Sequence, residues 1–117
     1  MLVLTSPEYR VEMFMKEDGK MPTYVSLLKL TEKGIADIKN TPERLKAAKK
    51  GVEAMGGKWV AIYAVLGEYD YVAITEFPSD EAGMMFALAI GSAGNIRTTT
   101  LKAVTEKEFV DIVKKLP

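Results

Sequence analysis

The sequence predicts an α+β domain, a ferredoxin-like βαββαβ sandwich with one further helix at its end. Three observations carry that expectation. Four short runs rich in β-branched and aromatic residues lie at 23–31, 58–66, 69–77 and 95–104. Segments with helix-start signals separate the first run from the second and the third from the fourth. Only Gly67-Glu68 stands between the second and third runs, which fits a two-residue hairpin with glycine at its first central position. Right-handed crossovers then put both intervening helices on one face of a single sheet.

In order, "TYVSLLKLT" opens the domain as a strand and ends at a helix-start cluster. "EKGIADIK" follows as a short helical turn or two, interrupted at Asn40. Thr41-Pro42-Glu43 restarts the helix. Thr41 can cap the free amides, proline suits the first turn, and Glu43 suits the positive helix end. Ile35, Ile38, Leu45, Ala48, Val52 and Met55 recur at threes, fours and sevens, one apolar stripe for a helix lying on a sheet. Gly56-Gly57 ends it. After the hairpin, Pro78 closes the third strand and Ser79 caps a helix running to about Ala93. The inward face expected there is Met84, Met85, Ala87, Leu88 and Ala89, with the methionines as core filler. The fourth strand leads into a last helix opened by the capping box Thr105 to Glu108.

This arrangement covers one sheet face and leaves the other bare. A bare face carrying Val, Leu, Trp and Tyr is an exposed apolar patch of the kind that marks an interface. The expected answer is a homodimer, or a higher oligomer of dimers, in which two sheets pack as a dimeric α/β barrel.

Composition narrows the function. Sixteen basic and sixteen acidic residues cancel, so nucleic acid is a poor partner. No apolar run reaches the ~18 residues of a membrane span, and a cytoplasmic protein is expected. Cysteine and histidine are absent. Thiolate nucleophiles, Cys/His metal sites and histidine acid–base catalysis are therefore excluded within the chain, and the reading calls for no metal and no cofactor. Glutamine is absent too, and the only asparagines are Asn40 and Asn95, a composition like that of heat-adapted proteins. Gly91 to Gly94 resembles a phosphate loop only superficially, because it follows a helix and precedes a strand.

Residues 1–20 read as a separate N-terminal extension to the 21–117 domain. Two readings compete: a strand or arm packing on the domain, since "YRVEMFM" alternates weakly, or a gene-start artefact ahead of Met21.

Several ordered blocks carry a family likeness: "YVSLLKLTEKGI", "GGKW", "GEYDYV", "FPSDEAG" and "GNIRTTTLKAV". Together they resemble the GYD domain family, named for Gly-x-Tyr-Asp, here Gly67, Tyr69 and Asp70. The resemblance spans Met21 to Pro117. It implies the dimeric α/β-barrel fold and no assigned biochemical function. The hairpin is also similar to that of the effector-sensing domain of Lrp/AsnC-type regulators, where small molecules such as amino acids bind between subunits. The chain is too short to carry their helix-turn-helix as well.

The candidate ligand-contacting residues are Tyr24, Ser26, Trp59, Tyr63, Asp70, Thr98 and Thr100, taken to line the barrel interior or its rim. A two-residue turn sets Asp70 across from Val65, with Trp59, Tyr63, Val72, Ile74 and Glu76 on its face. A slip of one residue would exchange the faces. For Asp70 the structural alternative is that it accepts backbone hydrogen bonds and fixes register. For the threonines it is cross-strand hydroxyl pairing. Arg97 is expected to pair with a nearby acid, and Lys29 with Asp70 or Glu76. Catalytic residues are not identified. The expected function is a homo-oligomeric module that binds a small apolar or amino-acid-like ligand or serves in assembly. The alternative is a cofactor-independent oxygenase or isomerase of the barrel type, an analogy of fold alone.

Overall fold

The computed structural model describes residues 21–117; the arm or artefact expected at 1–20 lies outside the described residues. The order is β1 (Thr23–Leu30), α1 (Glu32–Ala36), a 3-10 turn (Ile38–Asn40), α2 (Thr41–Ala54), β2 (Lys58–Ala64), β3 (Tyr71–Glu76), α3 (Asp80–Ser92), β4 (Ile96–Ala103) and α4 (Glu106–Val113). The four strands form one antiparallel sheet in the order β2-β3-β1-β4. That is the ferredoxin-like arrangement the sequence predicts. No helix among the described residues is long and apolar enough to cross a membrane.

Local chemistry explains most boundaries. Ser79 accepts from Ala82 N and caps α3. Thr105 and Glu108 exchange bonds as a capping box on α4. Thr41 does not cap α2: it is already helical, Asn40 stands at the cap position without a side-chain bond, and the Thr41 hydroxyl donates to Ile38 O instead. The reason is the 3-10 turn, which carries the chain directly into the helix. That turn also breaks the expected stripe. Leu45, Ala48, Val52 and Met55 face inward, whereas Ile35 and Ile38 are exposed.

Gly56 takes a positive φ of 78°, and a Cβ on Gly57 would lie 2.6 Å from Glu76 O. The return from α2 into β2 therefore needs both glycines.

The core has two unlike ends. At one, Tyr24, Val52 and Phe77 are buried against Met55, Trp59, Ala82 and Phe86. Phe77 meets Tyr24 edge-on at 5.8 Å and Phe86 at 5.5 Å between ring centroids. At the other, small residues of α2 and α3 stand over the sheet and the space is not closed. The inward side of α3 is Ala82, Gly83, Phe86 and Ile90. Met84, Met85 and Leu88 are 65%, 53% and 67% exposed, so they are not core filler. Gly83 lies on the buried side of the helix, where a Cβ would be 3.4 Å from the Tyr24 ring, an ordinary contact.

The segment after β1 is clasped to the loop before β4. Thr31 N donates to Asn95 O at 3.0 Å, the Thr31 hydroxyl to Gly94 O at 2.6 Å, and Lys33 Nζ to Ala93 O at 2.9 Å. A Cβ on Gly34 would sit 2.1 Å from Asn95 O. Gly34→Ala is therefore expected to cost about 2 kcal/mol or more, because backbone and not a movable side chain must yield. Urea denaturation would read this; an unchanged midpoint would remove the clasp from the account.

Candidate functional site

The strand registers sort every side chain to one of two faces. Toward the helices run the rows Trp59–Thr75–Tyr24–Lys102, Ile62–Ala73–Ser26–Thr100 and Ala64–Tyr71–Leu28–Thr98. On the open face run Ala61–Ile74–Val25–Leu101 and Tyr63–Val72–Leu27–Thr99. Residues opposite one another in an antiparallel pair share a face.

Five of the seven candidate residues therefore do not face a barrel interior. Tyr24, Ser26, Trp59, Thr98 and Thr100 lie on the helix side. Tyr63 lies on the open face, 61% exposed, and Asp70 sits at the hairpin. The correction has two causes. The alternation of β1 buries Tyr24, Ser26 and Leu28, leaving Val25 and Leu27 outward. In β2 the register shifts between Trp59 and Ala61, leaving Val60 as an unpaired bulge residue. Tyr63 keeps the expected face, and the bulge turns Trp59 over to the other. Lys49 Nζ, on α2, stands 5.9 Å from the Trp59 ring, in keeping with that side. Ser26 pairs with Thr100 across the sheet at 3.4 Å, and Thr100 pairs with Thr98 along β4 at 2.9 Å.

Asp70 ties three strands. Its amide donates to Leu28 O at 2.8 Å, its carbonyl accepts from Val65 N at 2.9 Å, and its carboxylate accepts from Leu30 N at 2.8 Å. It does lie across from Val65. The turn is wider than two residues, however, because Leu66 to Tyr69 stand outside the ladder and Gly67 takes φ 118°. Lys29 pairs with neither Asp70 nor Glu76. It lies 3.8 Å from Glu68 and 5.7 Å from the Tyr69 ring centroid. Arg97 has no acidic partner among the described residues.

Tyr24 donates to the Asp80 carboxylate, which also receives Lys102 Nζ at 3.0 Å. This chain links β1, the start of α3 and β4. Burial first, and then the bond and charge of Asp80, push the Tyr24 hydroxyl above its ordinary value. The bond from Tyr24 first, and then Lys102, holds Asp80 below the usual carboxylate range.

The residues gathered round one space are others. A cavity of about 320 Å³ lies between α2, α3 and the sheet. Leu28, Leu30, Leu45, Ile62, Phe86 and Ile90 supply much of its apolar wall, and Ser26 and Trp59 also border it. Among the described residues Arg44 is the single charged one of the lining, and it is engaged by Asp37 at 2.5 Å. No carboxylate among the described residues lines the cavity, and no three acidic residues among them are grouped to hold a metal ion. Asn95 borders the cavity, and its Oδ1 is buried without a hydrogen-bond partner. Side chains leave this space unfilled. Sequence reasoning missed Arg44, Tyr71 and Asn95 in this role. The available signal was the small-residue faces Ala47, Ala48, Gly51 and Ala89, Ala93, which cannot fill a helix–sheet layer.

The chain matches the GYD domain over residues 24–113. It is 34% identical over 95 residues to a Thermus thermophilus protein named glutamine synthetase and cystathionine beta-lyase binding protein, covering 80% of this chain and all of that one. Among solved structures it is similar to a feast or famine regulatory protein of M. tuberculosis, crystallised with L-methionine. The TM-score is 0.57 and the identity 17%, over 88% of this chain and 71% of the other. The leucine response regulatory protein of Mycobacterium tuberculosis gives 0.50 at 18% identity, over 77% of this chain and 55% of that chain. The two regulators share the fold, and the chain spans only about half of the second.

Asp70→Ala should lose about 2 kcal/mol, the cost of an orphaned, partly buried amide at Leu30, while Asp70→Asn keeps an acceptor and loses about 1 kcal/mol or less. Equal losses for the two variants, measured by urea unfolding, would deny the carboxylate its structural bond. The Tyr24–Asp80 pair should shape both pH limbs. Asp80's contribution is present above the ordinary carboxylate pKa near 4 and fades as pH falls through its lower folded value. Tyr24's contribution is present below its ordinary pKa of about 10 and fades as pH rises beyond it. Urea midpoints across pH should show Asp80→Asn flattening the acid limb and Tyr24→Phe the alkaline one.

Proposed function

We propose that this chain, which belongs to the GYD domain family, is a non-catalytic docking module: a homodimer that binds other proteins, enzymes among them. The observation that supports this reading best is the apolar sheet face that the described residues leave without a covering element. An antiparallel sheet with one wet face ordinarily carries polar residues there. Here the two open-face rows hold Val25, Leu27, Ala61, Tyr63, Val72, Ile74 and Leu101. A patch of this kind, built from one continuous sheet, suits a two-fold contact with the same patch of a second copy.

A second surface differs in shape. In α4, Phe109, Val110, Ile112 and Val113 are 57%, 40%, 49% and 43% exposed, and none of its residues is buried. A helix of eight residues is too short to persist in water on its own strength, capping box or not. Its apolar stripe therefore calls for a partner. The sheet face serves self-association, and α4 serves a client protein. The class of client rests on the Thermus thermophilus relative, whose name gives glutamine synthetase and cystathionine beta-lyase as bound proteins. Such enzymes are the partners proposed here.

Sedimentation velocity separates the two parts of the reading. The purified chain is expected to run as a dimer or a multiple of dimers. Tyr63→Glu with Leu101→Glu, both at exposed positions, should give a monomer with an unchanged circular dichroism spectrum. Mixed with purified glutamine synthetase or cystathionine beta-lyase of its own organism, the wild-type chain should co-sediment with one of them. Phe109→Glu with Ile112→Glu should abolish that complex and leave the dimer. A wild-type monomer sinks the self-association, and a dimer that binds neither enzyme sinks the docking role.

A further inference from the structure

We infer that the cavity between α2, α3 and the sheet is a binding site for a small, uncharged, mainly apolar molecule with one hydrogen-bond donor. An aromatic bicycle bearing an N–H or O–H has the fitting size and chemistry. Size comes from the volume of about 320 Å³. An apolar protein cavity of about 150 Å³ takes a benzene ring, so this one holds roughly a fused pair. It also lies at the low end of the range occupied by natural ligand pockets.

Charge comes from the lining. Among the described residues Arg44 is the lone charged side chain, and both Asp37 O, at 3.0 Å, and the Asp37 carboxylate, at 2.5 Å, already engage its Nη1. A ligand carboxylate would meet a guanidinium whose charge Asp37 already compensates, and a ligand ammonium would find no carboxylate among the described residues of the wall. The wall therefore selects against ions and zwitterions.

The donor comes from Asn95. Its Oδ1 is a buried acceptor without a partner. Buried polar atoms are nearly always hydrogen-bonded, and each exception asks for a cause. The acceptor is also held in place. The backbone at 93–95 is fixed by three bonds from Thr31 and Lys33, and Gly34 packs directly on Asn95 O. An acceptor fixed before binding adds affinity without an ordering cost. Entry is between the two helices, where the lining residues Ala47, Ala89 and Ala93 are also exposed.

The test is a calorimetric titration of the full chain with three probes, with amide chemical shifts to locate binding. Indole carries the donor. Benzofuran has the same shape with an acceptor in its place. L-methionine is a zwitterion of similar bulk. Indole should bind about tenfold more tightly than benzofuran, the worth of one bond to a buried acceptor, and L-methionine should not bind. Shifts should concentrate at Leu30, Ala48, Phe86 and Asn95. Asn95→Leu should erase the preference for indole while keeping apolar binding, and Ala48→Phe should fill the space and abolish binding of both bicycles. The inference is overturned by no indole binding, by benzofuran or L-methionine binding as well or better, or by shifts confined to Tyr63, Val72 and Leu101 on the open face.

Discussion

One residue holds the strand ends in register. β1 outruns β3 beyond the Leu28–Tyr71 pair. Continued in that register, the ladder would set Leu30 against Tyr69. Instead the chain leaves the sheet for the hairpin, and the Asp70 carboxylate takes the Leu30 amide in place of a backbone carbonyl. The same residue binds Leu28 through its amide and Val65 through its carbonyl. A carboxylate reaching back across a turn does what two further residues of strand would have done. Tyr69 is thereby freed to lie beside Lys29 on the surface. The register this bond closes decides which side chains the helices cover and which they leave bare.

That dependence explains what could be read in advance. Element order, the Ser79 cap, the Thr105–Glu108 box and the pairing of Asp70 with Val65 follow from local signals: turn residues, capping residues and alternation. So does the sheet topology, once right-handed crossovers are imposed. The side of the sheet each candidate faces was not legible, because it hangs on two features without a local signature. One is the bulge at Val60, in a run of β-formers where any residue could have been the extra one. The other is the alternation of β1, in which both "Tyr-Ser-Leu" and "Val-Leu" make credible inner faces. Tyr24 settles it through non-local contacts, with Phe77 beside its ring and Asp80 beyond its hydroxyl. No spacing rule contains a contact between residues 24 and 80.

The helix layer shows the same limit. Counting apolar positions places Met84, Met85 and Leu88 inside, together with Ala87 and Ala89. The helix is instead turned the other way, with Gly83 buried, and presents alanines to the sheet together with Phe86 and Ile90. Volume is then short at one end, and the cavity follows. A pattern of apolar and polar letters records which residues avoid water, but it does not record whether their volumes sum to a filled core.

The period of two along a strand gives the site its logic. Tyr71 borders the helix-side cavity, and Val72, its neighbour, stands in an open-face row. Ala73 and Ile74 repeat the division. The surface proposed for a second copy and the space proposed for a small molecule are thus written in alternate letters of one strand. The Asp70 bond that sets the start of β3 sets both at once. A shift of one residue there would not weaken the two surfaces in part; it would exchange them, placing Val72 and Ile74 under the helices and Tyr71 and Thr75 on the open face. This gives a physical reason for an aspartate directly ahead of the strand, where it secures the parity on which both faces rest.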